Sequence, residues 1–102
     1  MVKELNSINV DVNEEGYMTD LSQWNKEVAL AIAAEEGIEM TPRHFEVVDY
    51  LQDQYRKDIP LSIRKIKTSG VVDIKEFYAL FPGGPLKKAA KIAGIPKPAS
   101  CV

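Results

Sequence analysis

Ile8, Val10 and Val12 alternate with Asn9 and Asp11, the period of two expected of a half-buried strand. Asn13-Glu14-Glu15-Gly16 supplies turn chemistry and Tyr17-Met18-Thr19 returns as a partner, so residues 7–19 are predicted to form a small hairpin. From residue 20 the period lengthens to that of a helix. Asp20 is expected to cap a first helix, with Gln23 completing a capping-box-like pair. Trp24, Val28, Ala31, Ile32 and Glu35 fall along one side of it, and Gly37 supplies the stop. Thr41-Pro42 is the strongest start signal, a hydroxyl cap followed by proline at the first helical position. His44, Val47, Val48, Leu51 and Tyr55 then recur at helical spacing to about Lys57, which marks the central helix.

Pro60 is read as opening a shorter helix with Leu61, Ile63 and Ile66, ended near Gly70. Val71-Val72-Asp73 leads into another, whose Ile74, Phe77, Tyr78, Leu80 and Phe81 are expected to face a core. Pro82-Gly83-Gly84-Pro85 breaks that helix, and Pro85 suits the first turn of a last one over roughly 85–93, capped by Gly94. The predicted fold is α+β and mainly α: an N-terminal β-hairpin, about five short helices in an orthogonal bundle, and an extended C-terminal arm. Residues 1–94 are assigned to the folded domain and 95–102 to the arm. With two prolines and little apolar content, the arm is expected to be dispensable, so a chain ended at Gly94 should melt within a few degrees of the whole.

Composition narrows the class. At 102 residues, 45% hydrophobic and 27% charged, the chain suits one globular domain with one core. A formal charge of −2 argues against whole-domain attraction to nucleic acid or to an anionic membrane. No apolar run approaches the roughly 18–20 residues that span a bilayer. The N-terminus has no long apolar stretch or cleavage site of a signal peptide. A single cysteine cannot form an internal disulfide. A cytoplasmic protein is expected.

The candidate chemistry rests on that cysteine. A cysteine is most often a buried filler residue, but Cys101 is penultimate and follows Gly94, Pro96 and Pro98, which stop a helix and hold the chain extended. Seven residues at about 3.1 Å each give a reach of roughly 20 Å, enough to enter another protein's pocket. The thiolate is the reactive form, and at an ordinary pKa near 8.5 only about 3% is ionised at pH 7. Lys87, Lys88 and Lys91 on the last helix, with Lys97 on the arm, form a candidate docking strip for an acidic partner. His44 is the only histidine, with no second histidine or cysteine near it, a poor metal site. Gly83-Gly84 precedes a helix, but no Lys-Ser/Thr follows in phosphate-loop spacing. Neither a metal nor a cofactor is therefore expected. A small helical regulator of nucleic acid is the reading from a different class, since short helices can include a helix-turn-helix. The acidic balance and the cysteine arm favour a carrier protein over it, and an independent enzyme is least expected because no base, metal set or cofactor loop accompanies the thiol.

Leu80-Phe81-Pro82-Gly83-Gly84-Pro85, Lys91-Ile92-Ala93-Gly94-Ile95-Pro96-Lys97-Pro98 and the penultimate Cys101 resemble the C-terminal signature of the DsrC/TusE family. That family comprises the gamma-subunit-like partner of dissimilatory sulfite reductase and the TusE sulfur-relay proteins. Gly16-Tyr17, Ser22-Gln23-Trp24, Glu36-Gly37-Ile38 and the run from Thr41 to Val48 are similar to its N-terminal half. The resemblance implies a mainly helical fold with a mobile C-terminal arm, and sulfur held as a persulfide on Cys101. It also implies sulfur-transfer proteins as donor and acceptor, with a sulfite reductase or a tRNA-thiolation complex among the candidates. DsrC proteins carry a second cysteine where this chain has Ala90, so the resemblance favours the single-cysteine, TusE-like mode. Against the pattern that the resemblance implies for either branch, the segment between Ile63 and Phe77 looks several residues short, a departure that leaves the particular pathway open.

Overall fold

The computed structural model describes residues 1–5 and 7–98. Strands β1 (Val2–Leu5) and β2 (Ile8–Asp11) pair antiparallel, from Val2 opposite Asp11 to Leu5 opposite Ile8. Ser7 takes the left-handed backbone (φ 69°) that so tight a reversal demands. Five α-helices follow: α1 (Lys26–Glu35), α2 (Pro42–Arg56), α3 (Ile63–Ser69), α4 (Ile74–Leu80) and α5 (Pro85–Ile92). This is the expected architecture of a hairpin and five helices.

Its details differ in instructive ways. The strand read at residues 8–12 pairs with Val2–Leu5, not with Tyr17–Thr19. The turn at residues 13–16 does form, but it closes only one isolated bridge, Val12 to Met18. Asp20 caps a single 3-10 turn, Leu21–Gln23, by accepting from the Ser22 N–H. Asn25 then starts α1, accepting from the Val28 N–H at 2.9 Å. Trp24 therefore lies in the joint between the two and not on the helix. Ser62 caps α3, which begins later than Pro60 suggests. Tyr55 and Tyr78, placed by spacing toward the core, are 44% and 43% exposed.

The core joins Val10, Val12 and Met18 to the inner faces of all five helices, with Val28 and Ile32, Val47, Val48 and Leu51, Ile66, Phe77, and Leu86 with Ile92 among its members. Helix α5 is its hub, since α1, α2 and α4 all pack against it. Its Ala89 and Ala90 are fully buried, as are Ala29 and Ala33 of α1, small residues that let helix backbones approach closely.

Both Gly-Ile pairs end a helix in the same manner. At the end of α1, the Gly37 N–H donates to the Ala34 carbonyl and the Ile38 N–H to Ala33. At the end of α5, Gly94 donates to Lys91 and Ile95 to Ala90. These are Schellman closures with glycine in the left-handed conformation (φ 72° and 75°), and they turn the following isoleucine back onto its own helix. Ile95 is consequently 0% exposed. The boundary drawn between Gly94 and Ile95 thus cuts through the core. The folded part includes Ile95, so a chain ended at Gly94 would lose a core side chain.

Candidate functional site

Cys101 lies outside the described residues, so the structure bears on it through the segment that leads to it. That segment leaves from the C-terminus of α5, where an α-helix exposes carbonyls that its own N–H groups cannot reach. Here each of them is satisfied. Ala89, Ala90 and Lys91 accept from the N–H groups of Ala93, Ile95 and Gly94. The Ile92 carbonyl accepts from the Trp24 indole at 2.8 Å, and the Ala93 carbonyl from the Gln52 amide at 2.8 Å. Trp24 also packs over Gly94 so closely that an added Cβ would lie 2.7 Å from its Cδ1.

Helix α4 ends by a related device. Nε2 of the buried His44 lies 2.9 Å from the Leu80 carbonyl. A carbonyl only accepts, so Nε2 carries the proton and donates. Nδ1 then accepts from the Thr41 N–H at 3.1 Å. The lone histidine is thus committed on both nitrogens to joining the start of α2 to the end of α4. Arg43 adds a second tie, its Nε and Nη2 gripping the Glu76 carboxylate at 2.9 and 2.8 Å while Nη1 reaches Glu46. The guanidinium holds the Glu76 carboxyl below its ordinary value, and the two carboxylates hold the Arg43 guanidinium above its own.

The four lysines read as a strip lie on or beside α5, but not as uniform positive charge. Lys91 pairs with Glu36 at 2.9 Å and sits over the Tyr17 ring, 5.8 Å from its centroid. Lys97 pairs with Glu15 at 2.9 Å. Lys87 and Lys88 have no carboxylate within ion-pair distance among the described residues. Together Glu15, Tyr17, Glu36, Lys87, Lys88 and Lys91 line a cleft of about 190 Å³. The expected basic strip is therefore a mixed-charge cleft, in which Lys87 and Lys88 have no carboxylate partner among the described residues. Gly16 takes a left-handed backbone (φ 86°) that favours glycine, and a Cβ there would also come within 3.0 Å of Cε of Lys91.

The sequence reading did not single out Gln52, nor the groove of about 200 Å³ in which Tyr55, Ile59, Pro60 and Leu61 face residues 95–98. Gln52 had one legible signal, an amide one residue after Leu51 on the apolar side of α2. Its partner lies too far along the chain to be read from spacing. Among the described residues no group of three or more His, Cys, Asp or Glu is placed to hold a metal ion, and no helix is long and apolar enough to cross a membrane.

Comparison with known proteins covers nearly the whole chain. The family described as "DsrC like protein" matches residues 4–102. Sulfurtransferase TusE of Escherichia coli (strain K12) is 38% identical over an alignment of 101 positions, with 91% of this chain and 93% of that one covered. The TusE of Salmonella typhimurium (strain LT2) matches to the same extent, 38% over 101 residues with the same coverage. Among solved structures, that of dissimilatory sulfite reductase I (DsrI) superposes with a TM-score of 0.86 at 35% identity, covering 100% of both chains. Allochromatium vinosum DsrC superposes at 0.83 with 32% identity, again over 100% of both. The oxidized gamma-subunit of the dissimilatory sulfite reductase (DsrC) of Archaeoglobus fulgidus gives 0.78 at 32%, also with full coverage.

Proposed function

This chain belongs to the DsrC-like family, and from that membership we propose that it is a sulfur-relay carrier whose working group is the thiol of Cys101. The observation that carries the reading is the extent of the family match, which runs through residue 102 and so takes in the chain's single cysteine. In the transfer, the Cys101 thiolate attacks the outer sulfur of a donor persulfide. A new bond forms to Sγ, the donor's S–S bond breaks, and the donor leaves as a thiolate. Discharge repeats the exchange in the other direction, with an acceptor thiolate attacking the outer sulfur now held on Cys101. Sulfur moves at one oxidation level, so neither step needs an outside oxidant or reductant.

Ala90 supports the single-cysteine mode. By the resemblance to DsrC proteins it stands where they carry a second cysteine; here it is fully buried on α5 and offers no thiol to expel the cargo internally. Release then depends on another protein's thiol or on a reductant. Other sulfur-transfer proteins are the proposed donor and acceptor, and the likeness to sulfite reductase subunits makes such a reductase a second candidate partner. Lys87 and Lys88, with the cleft beside them, are the proposed docking face, fitted to an acidic surface.

Intact-mass measurement tests the chemistry. After incubation with glutathione persulfide the protein should gain about 32 Da per sulfur accepted, and a reductant should remove it. Prior alkylation or Cys101→Ser should abolish the gain. An equal gain in Cys101→Ser, or none in the wild type, would refute the reading.

A further inference from the structure

Among the described residues only two polar side chains are buried, His44 and Gln52, both on α2. His44 has an evident role at the end of α4. Gln52 does for α5 what His44 does for α4: it reaches across a helix interface to a carbonyl that its own helix has left without a donor. An apolar residue at position 52 would suit the surrounding core as well, but it would strip the Ala93 carbonyl of its partner. Trp24, from the joint before α1, takes the adjacent carbonyl, of Ile92. Two side chains from separate parts of the chain therefore hold the end of α5 at Ile92 and its cap at Ala93, just before the turn at Gly94.

We propose that Gln52 and Trp24 are positioning residues of the relay, which set the origin and direction of the segment that presents Cys101. Without them the Ile92 and Ala93 carbonyls have to be satisfied by water, and the last turn of α5 opens to admit it. Unwinding one turn lengthens that stretch from about 1.5 Å to about 3.3 Å per residue, moving the origin of the arm by roughly 6 Å. Each residue lost from the helix also swings the exit direction by about 100°. A thiol that must meet a partner's persulfide in line is sensitive to errors of about 1 Å. The consequence for transfer rests on the sulfur-carrier reading; the geometric role of the two residues does not.

The chain's single tryptophan and single cysteine make the test direct. With Cys101 carrying an aminonaphthalene sulfonate acceptor, energy transfer from Trp24 reports the separation between core and arm. In Gln52→Met, which fills the same space without a donor, the mean separation should shift by about 6 Å or its distribution broaden correspondingly. Gln52→His, which restores an N–H of similar reach, should recover the wild-type value. Loading of unlabelled protein by glutathione persulfide should stay within about twofold in all three, because a small donor needs no aimed arm. An unchanged separation in folded Gln52→Met, or no recovery in folded Gln52→His, overturns the proposal. If either Gln52 variant fails to fold, Trp24→Phe decides. Exchange of the Gly94 and Ile95 amide protons should then quicken about tenfold with α2 unaffected, and equal protection would overturn the proposal. A wild type that never loads from glutathione persulfide would refute the carrier reading and leave the distance measurement standing.

Discussion

Ile95→Ala should destabilise the whole domain, although the residue follows the last helix in an Ile-Pro-Lys-Pro stretch that reads as an appendage. Its side chain is 0% exposed and belongs to the main core. Burying an isoleucine contributes about 1.5–3 kcal/mol by transfer alone, and the unfilled cavity brings the cost of truncation to about 2–5 kcal/mol. Packing against α5, already closed by the Gly94 turn, leaves little room for collapse, so about 3 kcal/mol is the expected loss. A domain of this size has about 5–15 kcal/mol in total. At about 4–8 °C per kcal/mol, the melting temperature should fall by roughly 12–24 °C. Circular dichroism during heating measures this, and urea titration should show a lower midpoint with an unchanged slope. Two shortened chains, ended at Gly94 and at Pro98, differ by Ile95 together with the Lys97–Glu15 pair, and the first should melt well below the second. A variant melting within about 3 °C of the wild type would refute the assignment of Ile95 to the core.

Reversing the charges of Lys87 and Lys88 to glutamate should slow association with a persulfide-donating protein about tenfold at low salt and flatten the salt dependence. Alkylation of Cys101 should proceed as before, and unchanged association kinetics would exclude this face. Acid should expose the Arg43–Glu76 tie. Because Arg43 holds Glu76 below its ordinary value of 4.5, the unfolded chain takes up this proton first as pH falls. The stabilisation is complete above that value and drains away as pH drops through the folded one. Melting temperatures of wild type and Glu76→Gln should therefore converge as pH falls from about 6 to about 3, and parallel curves would contradict the assignment.

The elements legible in the sequence were those whose signals are local. Thr41-Pro42, Asp73 and Gly84-Pro85 mark helix starts by chemistry confined to one turn, and each stands where it was read. Val2–Leu5 was missed because Val-Lys-Glu-Leu has no clean alternation, and a strand so short is defined by its partner. Ile95 shows a different failure, since an extended segment was taken to be an exposed one. The signal was present twice, as Gly37-Ile38 and Gly94-Ile95, and the closure that buries the first isoleucine also buries the second. Lys91 and Lys97 read as free charge because Glu36 and Glu15 lie far away along the chain. The family resemblance reached what spacing alone did not, but the motif residues acquire a physical reason only in three dimensions. Gly16 makes room for Lys91, Trp24 and His44 secure helix ends, and Glu36 pairs with α5.

His44 and Gln52 stand about two turns apart on one helix, about 12 Å along its axis. The ends of α4 and α5 are thus both gauged from a single rigid rod, and that sets where the chain tolerates a change of length. One residue inserted into α2 between them would rotate Gln52 by about 100° and detach the end of α5 while leaving α4 in place. Neither bond involves α3. Residues can be gained or lost between α2 and α4 without altering that spacing. Relatives should therefore vary in length around α3 and hold the count from position 44 to position 52 fixed.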